Sequence, residues 1–195
     1  MPRAGLSTAS VVASAAEIAD TQGLDGLTLA RLAAATGVRT PSLYNHVGSL
    51  DDVRRRVALL ALEEHAGAMR SAAVGRAGDD ALVSMATAYR DYARRHPGRY
   101  AAAQRAPAAG DDELATAAAE AVDVLLAILR GYGLEGDDAI HAARAVRSAL
   151  HGFVALETGG GFGLPVDLDE SFARMVAALA HGLGTVSRSG RAGGS

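Results

Sequence analysis

The sequence has no cysteine, no tryptophan and no lysine. Without cysteine it cannot form a disulfide, a thiolate nucleophile or a Cys-ligated zinc or iron–sulfur centre. Aromatic residues make up 4% of the 195 positions, and β-formers as a group are sparse, which argues against a strand-rich fold. No apolar run approaches the roughly 18 residues needed to cross a bilayer, so no membrane partner is expected. The small-residue stretch after Arg3 is interrupted by Glu17 and Asp20 before a secretory apolar segment can form, and a cytoplasmic protein is the expectation.

Alanine dominates what is present, with 44 copies, and glycine adds 23. Alanine has the best helix propensity and lets helix backbones approach closely, so the composition points to an all-α fold. The length suffices for one sizeable core, or for a small domain joined to a medium one. All 19 basic residues are arginine. Residues 1–60 carry 6 arginines and 5 acids, a net of +1, and residues 61–195 carry 13 arginines and 17 acids, a net of −4. The front is only slightly basic, and charge alone does not announce a nucleic-acid partner.

Apolar residues recur with helical period throughout, and no repeat of solenoid length is present. The pattern predicts about nine helices, over residues 7–22, 28–35, 40–46, 49–74, 79–95, 98–105, 112–130, 137–158 and 169–186. Ser7 or Thr8 is suited to cap the first, Thr28 the second, Thr40 with Pro41 behind it the third, and Asp79 or Asp80 the fifth. Ser49 and Asp52 form a capping-box-like start to the fourth. The second and third helices are short and joined by Thr36-Gly37-Val38, the pattern of a helix-turn-helix.

Ala33, Val38 and Leu43 are spaced to lock those two helices together. Arg39, Thr40, Pro41, Ser42, Tyr44, Asn45 and His46 are then left to project from the second of them, as the short polar residues of a recognition helix do. Asn can bond adenine bidentately and Arg guanine. Thr28 sits at a helix N-terminus, which favours a phosphate.

The stretch LTLARLAAATGVRTPSLYNHV, residues 27–47, resembles the DNA-binding signature of the TetR family of transcriptional regulators. The resemblance lies in Thr28, Ala33, Gly37-Val38 and Leu43-Tyr44-Asn45-His46, and covers about residues 7–60. Further on, His151-Gly152-Phe153 and Glu157 resemble the motif of a recurrent TetR C-terminal domain type that carries a His-Gly pair. Two positions depart from the family pattern. The usual lysine after the recognition helix is Leu50, with Arg54, Arg55 and Arg56 one turn on as replacements, and the usual serine at the start of the third helix is Arg39. Weaker phosphate anchoring and a shallower salt dependence are expected from the first departure.

The resemblance implies a three-helix DNA-binding domain over 1–48, a connecting helix over 49–74 and a ligand-binding and dimerisation domain over 75–187; the polar, Gly-rich composition of 188–195 points to a disordered tail. The resemblance also implies a double-stranded DNA operator, a homodimer, and a small-molecule effector that releases a repressor from a pseudo-palindrome. Candidate ligand residues are Met85, Tyr89, Tyr92, Gln104, Leu125, Arg147, His151 and Glu157, an apolar set with a few polar groups. Ala145, Ala149, Gly152, Phe172, Met175, Val176, Leu179 and Leu183 would form a flat dimer face on the last two helices.

The Gly-rich stretch at 159–163 lacks a preceding strand and the Walker lysine, so a flexible connection is expected there rather than a phosphate loop. No two histidines lie i, i+4 on one helix, no nucleophile elbow is present, and neither a metal site, a cofactor nor a catalytic site is read. A regulator without a small-molecule ligand and an enzyme built on a helical bundle remain as rival readings.

Overall fold

Side-chain caps decide where the helices of the first half begin. Ser7 accepts from the Ser10 backbone N–H while the Ser10 hydroxyl accepts from that of Ser7, a reciprocal box. Thr28 accepts from Arg31 N at 3.2 Å, and Ser49 from Asp52 N at 3.1 Å, with Asp52 accepting in return from Gly48 N at 2.9 Å. In the computed structural model, which describes residues 6–192 and the side chains of 6–186, these caps open a chain of helices. They are α1 (Thr8–Gln22), α2 (Leu29–Thr36), α3 (Thr40–Leu43), α4 (Leu50–Ala73), α5 (Gly78–Arg95), α6 (Pro97–Ala103), α7 (Asp112–Gly131), α8 (Gly136–Thr158) and α9 (Leu168–Ala192). No strand occurs among the described residues, and the fold is all-α as expected.

The boundaries correct the sequence reading at four places. Thr28 caps α2 as expected but stands just outside it, so the helix begins at Leu29. Arg39, not Thr40, is the N-cap of α3, which closes at Leu43 instead of His46, because His46 N turns back to Leu43 O in a tight i→i+3 bond of 2.8 Å. Helix α5 starts at Gly78, where φ is +54°, so Asp79 and Asp80 lie within its first turn, facing its positive end. Helix α9 runs past Val186 to Ala192, into the segment expected to be a disordered tail, and no proline interrupts it; residues 193–195 lie outside the described residues.

The chain divides into two compact units, one of Met1–Glu64 with Arg95–Ala118 and the other of His65–Arg94 with Ala119–Ser195. In the first, Val11 and Ala15 of α1, Leu27, Leu32 of α2, Leu43 of α3 and Val53 of α4 are fully buried in one core. Residues distant in sequence complete it, with Ala102 of α6 and Leu114 of α7 in the same cluster.

Helix α6 reaches that core by a backbone contact. Gly98 is buried, and a Cβ built on it would overlap the carbonyl of Ala19 in α1. Asp20, beside Ala19, accepts from Arg99 N at 2.8 Å. Its other oxygen lies 3.0 Å from Arg99 Nε and 3.2 Å from His96 Nδ1. Arg99 Nη1 reaches on to Glu64 of α4 at 3.2 Å.

In the second unit Leu82, Met85 and Tyr89 of α5, Leu129 of α7 and Val146, Leu150 and Val154 of α8 are all buried. His65 is buried among its rings, stacked on Tyr92 at 5.0 Å and edge-on to Tyr89 at 4.6 Å. Burial, helped by the charge of Arg147, pushes the imidazole down to about 4.

Two measurements follow. Gly98→Ala should cost about 1–3 kcal/mol, because backbone atoms must give way, whereas Gly67→Ala in α4, whose added Cβ meets nothing within 4 Å, should stabilise by about 0.4–1 kcal/mol; equal effects in urea titrations would refute the α1–α6 contact. For His65 the unfolded chain binds the proton more readily than the folded one, so its contribution is intact above pH 6.5 and is lost as pH falls from 6.5 towards 4. Stability of the wild type relative to His65→Phe should decline across that window, by at most about 1.4 kcal/mol per pH unit, and a pH-independent difference would contradict the assignment.

Candidate nucleic-acid interface

The first unit presents α3 as an edge. Leu43 is fully buried and Ala33 nearly so, with Val38 packed partly against them, which anchors α3 on α2. Gly37 makes the turn in the left-handed region at φ +70°, ψ 26°, and its N–H closes α2. On the outer side Arg39, Pro41, Ser42, Tyr44 and Asn45 are exposed, and Thr40 and His46 half-buried. Tyr44 keeps 55% of its surface accessible, large for an aromatic ring with a buried neighbour. The Thr8 hydroxyl donates to His46 O at 3.3 Å and ties the end of this edge to α1.

Thr28 is half-buried, and its hydroxyl is already the acceptor for Arg31 N. The free N–H groups of the first turn of α2 remain the feature at this end that suits a phosphate.

The cations around the edge are mostly taken. Arg31 Nη1 donates to Gly26 O at 2.8 Å. Arg54 lies 3.4 Å from Asp51 and Arg56 2.9 Å from Asp52. Arg55 holds Asp111 with two bonds of 2.6 and 2.7 Å and Glu113 with a third of 2.7 Å. Those bonds raise the affinity of Arg55 for its proton and hold the Asp111 carboxyl below the usual carboxylate range. The three arginines expected to stand in for the missing lysine are therefore engaged within the protein, since each lies within reach of a carboxylate on its own helix or on α7.

The other expected sites separate. Met85, Tyr89, Tyr92 and Leu125 are buried, Arg147 and His151 are exposed, and Gln104 is half-buried in the first unit while the rest of the set is in the second. Glu157 does not stand open to a ligand. It takes two bonds from Arg90, at 2.6 and 2.8 Å, and Arg90 also reaches Asp169 at 2.8 Å. The guanidinium lies 5.4 Å from the Phe153 ring centre and 4.8 Å from that of Phe172, and its bonds, first those to Glu157, hold its proton more firmly than in a free arginine. Sequence reasoning passed over Arg90. Its signal was a charge on the apolar stripe of α5, one residue after Tyr89 and four after Ala86, both buried.

Of the residues expected on a dimer face, Phe172, Val176 and Leu183 are buried inside the chain's own core, because they occupy the inward stripe of α9. Ala145 is exposed, and Ala149, Gly152, Met175 and Leu179 are half-buried.

Residues 82–179 match the family model described as the tetracyclin repressor-like C-terminal domain. An uncharacterized HTH-type transcriptional regulator of Mycobacterium tuberculosis is 45% identical over 92% of this chain and 83% of its own length. YobS of Bacillus subtilis, also an uncharacterized HTH-type transcriptional regulator, is 37% identical over 93% of this chain and 95% of its own. The fold is shared with a TetR variant of Acinetobacter baumannii AYE solved in complex with minocycline, at a TM-score of 0.62 and 23% identity over 98% and 99% of the two chains.

The edge separates packing from surface sharply enough to measure. Leu43→Ala should cost about 2–5 kcal/mol of stability, and Tyr44→Ala and Asn45→Ala no more than about 0.5 kcal/mol each. Comparable losses in all three by denaturant titration would mean that the outer side of α3 is packed.

Proposed function

The chain belongs to the TetR family of transcriptional regulators, and we propose that it is a homodimeric repressor that reads a pseudo-palindromic operator with the outer edge of α3 and is released by a small-molecule effector. It is a DNA-binding regulator by family, and the family is not one of enzymes. The observation that carries the reading is the placement of Leu43 in the core while Arg39, Ser42, Tyr44 and Asn45 are left exposed. Arg39 is assigned to guanine and Asn45 to adenine, each by a bidentate pair. Tyr44, Thr40, Ser42 and His46 are assigned to the flanking backbone, Pro41 to holding the start of α3, and Thr28 with the first turn of α2 to a phosphate. Two copies would place their recognition helices about 34 Å apart, one turn of DNA.

The dimer is assigned to the outward positions of the last two long helices, Ala145, Ala149 and Gly152 of α8 with Met175 and Leu179 of α9. Small residues there let two copies approach closely in an isologous contact. The effector assignment is supported by the relative of known fold that holds minocycline. DNA and effector would then disfavour one another reciprocally.

Fluorescence anisotropy with DNA from upstream of the protein's own gene, against random DNA and at several salt concentrations, tests the reading. Saturable binding at two chains per site is expected. Arg39→Ala and Asn45→Ala should each weaken it by about 5- to 150-fold, the worth of a bidentate base contact. With Arg54, Arg55 and Arg56 engaged elsewhere, the salt slope should be shallow. Equal, weak binding to both DNAs, repeated in a genome-wide selection, would refute it.

A further inference from the structure

The second unit contains a solvent-open cavity of about 590 Å³ that none of the motif-derived ligand residues lines. Its size falls within the roughly 300–1,000 Å³ of small-molecule sites. The walls are the end of α4 with the segment after it, the start of α5 and α7 from Glu120 to its C-terminal end. Two features fix the walls. Tyr132 OH donates to Asp79 at 2.7 Å across the α7 end and the α5 start, and a Cβ on Gly131 would lie 3.8 Å from Gly78 N, so the helix ends meet with no side chain between them. The space exists because Ala73, Ala77, Ala81 and Ala127 offer only methyl groups to it, beside Val124 and Ile128.

Its charges come in two sets. Arg70 and Arg76 stand on the wall from α4 and the segment after it, and Glu120 and Asp123, three residues apart and so on one face, on the wall from α7. Arg76 is steadied by a bond of 2.8 Å from Nη1 to Ala72 O. Among the described residues, none of the four is in an ion pair. A lone anion entering the cavity would meet the two carboxylates, and a lone cation the two arginines. A molecule with an apolar body and one charge of each sign satisfies both walls, and like-charge contacts reject the singly charged analogues.

We propose that this cavity is the effector site and that the effector is an amphipathic zwitterion, with its anionic group at Arg70 and Arg76 and its cationic group at Glu120 and Asp123. This rests on the reading of an effector-released repressor. Helices α4 and α7 both continue into the first unit, where Arg55 of α4 holds Asp111, just before α7, and Glu113 in its first turn. A ligand that resets the spacing of α4 and α7 at the cavity therefore acts on the two helices that Arg55 joins in the unit carrying α3.

Calorimetric titration of the full chain with ω-aminooctanoate, octanoate and octylamine tests the site, and operator anisotropy with the same compounds tests its role. The zwitterion should bind at least about tenfold more tightly than either analogue. Glu120→Gln with Asp123→Asn should abolish its advantage over octanoate, and Arg70→Gln, which leaves Arg76, should reduce its advantage over octylamine. All three residues are exposed, so folding is not at stake, and Ala127→Phe should block binding by filling the space. No binding, or binding unchanged in these variants, overturns the site. Binding that leaves operator affinity unchanged overturns its role as the effector site while the cavity stands; release of the operator by ω-aminooctanoate in the wild type but not in Ala127→Phe supports both.

Discussion

The reading edge depends on one contact that no side chain makes, the backbone of Gly98 in α6 against that of Ala19 in α1. Helix α1 has to hold α2, α3 and the start of α4 around Val11, Ala15 and Ile18, and a short helix from far along the chain closes it from outside. The approach is so near that only glycine fits. Asp20 then takes the Arg99 backbone N–H and two side chains on its two oxygens. These polar bonds set the register of a helix that has too few residues to set its own. A DNA-binding unit assembled only from the first 64 residues would lack Ala102, Ala103 and Leu114 from its core.

The same unit treats its cations in an unusual way for a surface meant to meet phosphate. The chain has no lysine, and the arginines at the start of α4 are held by carboxylates. Bonding Arg55 to Asp111 and Glu113 joins α4 to the start of α7 and sets that charge against two carboxylates, although the Arg55 side chain keeps 33% of its surface exposed. Arg39 stands exposed on the edge itself. On the proposed reading, affinity would then rest less on counterion release, which is indifferent to sequence, and more on base contacts, which are not. The departures from the family pattern at Leu50 and Arg39 push in the same direction.

What was legible in the sequence was local. Thr28, Gly37, Leu43 and the Tyr44-Asn45-His46 run lie within a few residues of each other, and their roles follow from caps, turns and a period of 3.6 residues. The outward side of α3 and the inward place of Leu43 were therefore readable before any coordinates. Gly98 was not, because its partner lies 79 positions away and a glycine in a helix carries no mark of what it touches. Arg90 was misjudged by omission and Glu157 by isolation: each looks like an open polar group until the other is placed beside it, at 2.6 Å. The dimer face failed in part for a simpler reason. Small and large apolar residues of α9 were assigned to one side, whereas the large ones, Phe172, Val176 and Leu183, form the inward stripe. The cavity was invisible because it is made by what alanines leave out.

Regulation at a distance requires that the effector bind the released state better than the DNA-bound one, and it shifts the equilibrium only by that difference. Couplings of this kind are worth about 1–3 kcal/mol, comparable to one strained contact or one good ion pair. The coupling can therefore be small in contacts, provided it is placed on elements that do not yield. Helices α4 and α7 meet that condition. Each is a continuous helix of 20 residues or more, each lines the cavity in one unit, and in the other Arg55 fixes their relation through three short bonds. A packed helix does not compress along its length, so a change in spacing at Arg70 and Asp123 has to be accommodated by tilting, and tilting works against the Arg55 bonds. On the proposed reading, a reading edge with a rigid backing is costly to distort and would lose register as a whole, the route by which a modest ligand would act on α3 without touching it.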